Sequence, residues 1–272
     1  MKCHRATGLL VALMLSLPVM AADTPAPGAR DIVQNVNAAE HGDNISNEIA
    51  ITVLDDKGNR RESGLKSYTR KSGDNRDETR TVMFYVFPHT YRDIGFLTID
   101  YNDAAKEGKR WMYVPTTRKT KQIADKDKYA AFMGSDFSYA DMSLQHLGND
   151  DFRLLKEDIV AGQKVWVIEG TPPASVELDE NGYSKSVYTV RQDNFMIISA
   201  THYVNDGSRV KNMAVTRAEQ VGGHWVPAEV SMETHRNGRF LSRTTLQITN
   251  TKFDNHFDEN FFEVRQLAKG AE

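Results

Sequence analysis

Short runs in which apolar and polar residues alternate recur along most of this chain, and several are separated by Asn-Gly or Asp-Gly steps. A period of two is the mark of a strand with one face in a core. Residues 48–54 place Ile49, Ile51 and Val53 on one side, and Lys57-Gly58-Asn59 follows as a turn. Similar runs occupy 80–87, 95–101, 110–114, 152–160, 164–169, 185–191, 195–204, 210–218, 226–235 and 240–250. Asn181-Gly182, Asp206-Gly207 and Asn237-Gly238 lie between consecutive runs and accept the positive φ angles of tight hairpins. The expectation is one antiparallel sheet joined neighbour to neighbour, with no repeat and no second linker.

The alternation also tells how the sheet is used. In VPAEVSMETH, Val226, Ala228, Val230 and Met232 face one way while Glu229, Ser231, Glu233 and His235 face the other, so that strand has a wet face. FMIISATHYV, TVMFYVF and VWVIE are apolar on both faces. Something must cover their second side. The candidates are an opening helix, a later short helix, the terminal DENFFEV, or a bound apolar molecule.

The chain opens with Lys2 and Arg5, an apolar run from Gly8 to Met20, and Val19-Met20-Ala21. This predicts a secretory signal over residues 1–21, too short for a comfortable membrane span. Residues 22–30 read as a short Pro/Ala linker and 31–272 as a single domain. Within DIVQNVNAAEHG, Ile32, Val33, Val36 and Ala39 share one side at helical spacing. The sole cysteine, Cys3, would leave with the signal, so no disulfide is expected.

With Lys2 and Arg5 removed, 32 basic residues face 37 acidic ones, about −5 overall, which disfavours nucleic acid as a partner. RKTKQIADKDK, residues 118–128, fits a solvated loop or a lysine-guarded edge strand; contact with anionic lipid headgroups or an acidic partner is the alternative. The eight histidines are scattered, with no His-x-His or His-x-x-x-His pair, so no metal and no cofactor is expected.

FMGSDFSYADM, residues 132–142, mixes candidate catalytic types with aromatic rings. Taken as an N-cap, Ser138 can accept from the Asp141 amide while the Asp141 carboxylate reaches back, a near capping box. Phe137 and Met142 then fall at hydrophobic-staple positions, and a helix of about nine residues would run to Gly148-Asn149. The polar residues are thereby used to start a helix. A serine nucleophile would need a positioned base, and His146 would lie about two turns away. Paired-carboxylate chemistry by Asp136 and Asp141 has no local support either.

WMYVP (111–115), RKTKQIA (118–124) and FMGSDFSYADM together resemble the LolA-like outer membrane lipoprotein-sorting family of Gram-negative bacteria, over about residue 48 to the final FFEVRQL. The resemblance implies a mainly β fold, an unclosed antiparallel half-barrel whose concave apolar face is covered by helices. It further implies a non-enzymatic, monomeric periplasmic carrier of lipid or lipoprotein acyl chains, sometimes working with a resistance-nodulation type exporter.

An open barrel lined by rings and methionines leaves a trough, since a closed eight-stranded one is nearly filled by its own side chains. A chain of about sixteen carbons would gain on the order of 12 kcal/mol there before ordering costs. Trp111, Tyr113, Phe132, Met133, Phe137 and Met142 are the residues expected to line or cover it; ordinary core packing is the alternative. A lipid-sensing envelope-stress regulator and a periplasmic hydrolase are the competing functions.

Overall fold

The computed structural model describes residues 27–39, 43–73, 76–103, 106–142, 147–148, 150–176 and 178–270. The expected signal and most of the linker lie outside them. The order is one helix, α1 (Ala29–Ala38), then β1 (Ile45–Asp55), β2 (Arg60–Ser72), β3 (Glu78–Phe87), β4 (Gly95–Tyr101), β5 (Lys109–Val114) and β6 (Lys119–Ile123). After a long connection come β7 (Asp151–Val160), β8 (Gln163–Thr171), β9 (Tyr183–Arg191), β10 (Ile197–Val204), β11 (Arg209–Val221), β12 (His224–Arg236) and β13 (Arg239–Lys252).

All strands belong to one 13-stranded antiparallel sheet, ordered β6-β5-β4-β3-β2-β1-β13-β12-β11-β10-β9-β8-β7. Every neighbouring pair but β1 with β13 is consecutive in the chain, the consequence of short hairpin links. Asn237 (φ 50°) and Gly238 (φ 78°) form the two-residue turn between β12 and β13. The sheet does not close. Its two edges, β6 and β7, are joined by residues 124–150, the connection that contains FMGSDFSYADM.

Each face of the sheet has its own cover. On the inner face α1 buries Ile32, Val33 and Val36, and the β6–β7 connection buries Phe132 and Phe137 in the same cluster as Met83, Tyr85, Phe96 and Ile168. A ten-residue helix is not stable alone in water. Each fully buried aliphatic side chain on it adds roughly 1.5–3 kcal/mol, so α1 exists because the sheet receives it. Asn37 ties the two covers together: its Nδ2 donates to the Leu147 carbonyl (2.9 Å) and its Oδ1 accepts from the Leu147 amide (2.7 Å).

On the outer face Val82, Phe84, Leu97 and Ile99 meet Phe262 and Leu267 of the C-terminal segment. Tyr68 packs edge-on against Phe261, ring centres 5.0 Å apart. Gly95 permits this closeness, since a Cβ there would stand 3.0 Å from Phe84 and 3.2 Å from Leu267. DENFFEV therefore covers β3 and β4 from outside, while the opening helix packs into the inner cluster and touches β7.

Three expectations need correction. Strand β2 was not foreseen, because RRESGLKSYTRKS shows no sustained apolar alternation; only Leu65 and Ser67 are buried in it. The helix expected after Ser138 is seen as a turn through Tyr139–Met142, and residues 143–146 and 149 lie outside the described set. Helix α1 begins at Ala29, inside the stretch expected to be linker. The basic stretch at 118–128 contains β6, an edge strand.

Candidate functional site

The β6–β7 connection is fastened to the inner face by a buried polar cluster. Lys211, Thr234, Ser242 and Thr244 occupy adjoining inward positions on β11, β12 and β13, with Lys211 opposite Thr234 and Thr234 opposite Ser242. Into this stripe the connection lowers Asp136, 4 % exposed. Its Oδ1 accepts from the Thr234 and Ser242 hydroxyls, each at 2.5 Å, and its Oδ2 from Thr244 at 2.7 Å. The Lys211 ammonium donates to the Asp136 carbonyl at 2.8 Å. A carboxylate given three donors can be buried where an unpaired one cannot. Arg61 adds a bond to the Gly134 carbonyl at 2.8 Å.

The reciprocal bonds expected at Ser138 are present: its amide donates to Asp141 Oδ2 (2.7 Å) and its hydroxyl accepts from the Asp141 amide (3.1 Å). Asp141 has a second employer, the Tyr183 hydroxyl, which donates to Oδ2 at 2.6 Å. Asp136 and Asp141 thus have separate partners and do not form a catalytic pair.

The six apolar residues anticipated as trough lining divide between the two faces. Phe132 (1 % exposed) and Phe137 (0 %) are buried in the inner cluster, with Met133 and Met142 packed against it. Met112 and Phe96 pair across β4 and β5 on that face, so their neighbours Trp111 and Tyr113 point the other way and pack against the outer cluster. The period of two decides this.

Beside the connection lies a cavity of about 350 Å³. Its apolar wall includes Ile197, Ala200, Met213, Met232 and Leu147; its polar wall includes Tyr129, Tyr183, Tyr188, His202, Asp141 and Asp150. Of the residues singled out from sequence, Asp141 lines it and the six apolar ones do not. His202 is 6 % exposed and sandwiched, stacked on Tyr183 at 4.4 Å and edge-on to Tyr188 at 5.8 Å. Burial lowers its pKa to about 4, and burial raises that of Asp150 to about 6. Burial also pushes the Tyr183 hydroxyl far up, with the Asp141 charge adding to it, and pulls Lys211 down.

Ser186 Oγ and His202 Nδ1 are 2.8 Å apart, the one serine–histidine contact among the described residues that invites a hydrolytic interpretation. An imidazole held neutral down to about pH 4 is a weak base at neutrality, and no carboxylate among the described residues bonds its other nitrogen. The pair is a satisfied buried polar contact. Among the described residues no group of His, Cys, Asp and Glu is arranged to hold a metal ion, and no helix is long and apolar enough to cross a membrane.

Thr234, Lys211, Tyr183 and His202 were not identified from sequence. Thr234 carried a signal: it continues the parity of Val226, Ala228, Val230 and Met232, and a polar residue on a core face needs a partner.

Residues 77–269 match the model of a family of uncharacterized proteins. No curated protein matches the chain. Among solved structures, the chain is similar to a DUF1329 family protein from Desulfovibrio piger (22 % identity, TM-score 0.77, covering 88 % of this chain and 97 % of that one). It is similar also to a protein described as an outer membrane lipoprotein-sorting domain from Vibrio parahaemolyticus (22 %, 0.76, covering 89 % and 98 %). A third is a LolA superfamily protein from Nitrosomonas europaea (15 %, 0.63, covering 88 % and 98 %). With the matched model spanning most of its length and its backbone superposing on these structures over almost nine-tenths of the chain, the chain belongs to that uncharacterized-protein family and has a LolA-like fold.

Proposed function

We propose that this protein is a periplasmic, non-enzymatic carrier that holds lipid or lipoprotein acyl chains against the inner face of its sheet and moves them toward the outer membrane. The observation that carries this is the construction of the inner face. The sheet is left open, α1 and the β6–β7 connection cover its inner face, and the connection walls a cavity that has an apolar side. The likeness to lipoprotein-sorting structures supports the same reading.

At about 350 Å³ the cavity is near the small end of ligand pockets. A long acyl chain therefore takes the space now held by the covers, and Phe132, Met133, Phe137 and Met142 become its contacts as the connection lifts. Methionines suit this because their unbranched chains refit to differing neighbours. Trp111 and Tyr113 act from the outer face, by seating the C-terminal segment. An inner-membrane exporter of the resistance-nodulation type is a proposed partner, and the carrier works as a monomer.

Native mass spectrometry of the protein purified from its own periplasm, followed by lipid extraction, tests the function. Co-purified acyl chains are expected; a stable protein partner without lipid would instead favour a sensor. Phe137→Glu places a carboxylate where a ring is fully buried, and should lower melting by about 10 °C and weaken binding of a fatty-acid probe. Unchanged melting and unchanged binding together would remove Phe137 from both core and cargo site.

A further inference from the structure

The charged groups around the cavity are unequal in number and unequally satisfied. Among the described residues, five carboxylates line it (Asp100, Glu107, Asp125, Asp141 and Asp150) against three cations, Lys106, Arg110 and Lys128. Arg110 is engaged with Asp100 at 3.2 Å, and Lys106 reaches Asp77 at 3.6 Å. Asp141 already accepts from Tyr183 and Ser138. Lys211, behind Tyr183, is held by the Asp136 carbonyl. The Lys128 charge acts on Glu107 and Asp150. Close contact with Asp125 and its like charge push the Glu107 carboxyl up. Asp150 is pushed up by burial, an effect Lys128 only partly offsets.

Two further features concern what the space accepts. Lys128 lies with its ammonium 5.5 Å from the centre of the Tyr129 ring, so the cavity wall already holds an ammonium over an aromatic face. His202, more than nine-tenths buried, lines the cavity; Nδ1 is taken by Ser186, and Nε2 has no hydrogen-bond partner among the described residues. In the tautomer whose Nδ1–H donates to Ser186, Nε2 offers a lone pair to an incoming N–H donor.

We infer that the cavity seats the ammonium group of a cationic amphiphile against Asp150, among Tyr129, Tyr188 and His202, with the apolar part along Ile197, Ala200, Met213 and Met232. The inference rests on the carrier function proposed above and narrows its cargo to amine-bearing lipids. An anionic head group would meet the uncompensated carboxylates; an ammonium relieves them and replaces Lys128. Rings and carboxylates together are the chemistry that recognises organic ammonium ions.

The test uses three single-chain probes of equal tail length, dodecylammonium, dodecyl maltoside and dodecyl sulfate, each below its micellar concentration and titrated calorimetrically into the purified protein at pH 7.5. Dodecylammonium should bind about tenfold or more tighter than dodecyl sulfate, with the maltoside between them. Asp150→Asn should erase most of that preference, and Lys128→Met should tighten dodecylammonium about threefold by removing its competitor. Circular dichroism melts of both variants confirm that they fold; should Asp150→Asn fail to fold, Lys128→Met and the ranking in the unaltered protein still decide. Equal affinity for the three heads, or tighter binding of the sulfate, overturns the ammonium site and leaves the carrier function standing. Absence of binding by all three overturns both.

Discussion

At the scale of single residues, Asp136 couples the connection to the sheet. Its carboxylate is the acceptor for three hydroxyls that otherwise face an apolar interior, so Asp136→Ala orphans Thr234, Ser242 and Thr244 together. The expected loss is about 3 kcal/mol in urea unfolding, well above the roughly 1 kcal/mol of an ordinary hydrogen bond, because unsatisfied buried groups keep their desolvation cost. His202 and Asp150 pull the pH dependence in opposite directions. The folded-state pKa of His202 falls from 6.5 to about 4, so its contribution is complete above pH 6.5 and lost as pH drops toward 4. That of Asp150 rises from 3.8 to about 6, so its contribution is complete below pH 3.8 and lost as pH climbs through 6. Asp150→Asn should therefore stabilise the fold at pH 8, by about 1–2 kcal/mol after allowance for its partial exposure, and change little at pH 4. Urea midpoints at the two pH values measure this, and a larger gain at pH 4 than at pH 8 would contradict the assignment.

At the scale of elements, α1 and the β6–β7 connection are tied together by hydrogen bonds between Asn37 and Leu147. Asn37→Ala removes both bonds and should cost about 1–2 kcal/mol locally. Amide exchange in α1 is expected to rise about tenfold while exchange in β11–β13 stays unchanged; uniform acceleration across the sheet would show that α1 opens only with global unfolding. Elements also differ in how well the sequence announces them. β12 reads directly because one face is apolar at every second residue, and the burial of Val226, Ala228, Val230 and Met232 follows it. β2 does not read, since it is held by pairing along its length with β1 and β3 and buries little of its own side-chain surface. Backbone pairing leaves no trace in side-chain pattern.

At the scale of the whole molecule, nearly every connection is a hairpin, and the one long connection runs between the sheet's two edges. That topology places the most conspicuous sequence of the chain, FMGSDFSYADM, where it can cover the inner face. The local rules settle a great deal from sequence alone: most of the strands, that neighbours pair antiparallel, which side of a one-sided strand such as β12 faces a core, and that Ser138 and Asp141 bond reciprocally. All of these depend on residues a few positions apart. Only the folded chain decides that the inner and outer faces have different covers, that Trp111 and Phe137 serve opposite sides of the sheet, and that Asp136 meets Thr234 and Ser242. The cavity is likewise assembled from Tyr129, Asp150, Tyr188, His202 and Met232, residues far apart in the chain. Short-range patterning specifies strands and faces through period and turn chemistry, whereas contacts between distant positions depend on how the sheet curls and on which segments are left to cover it.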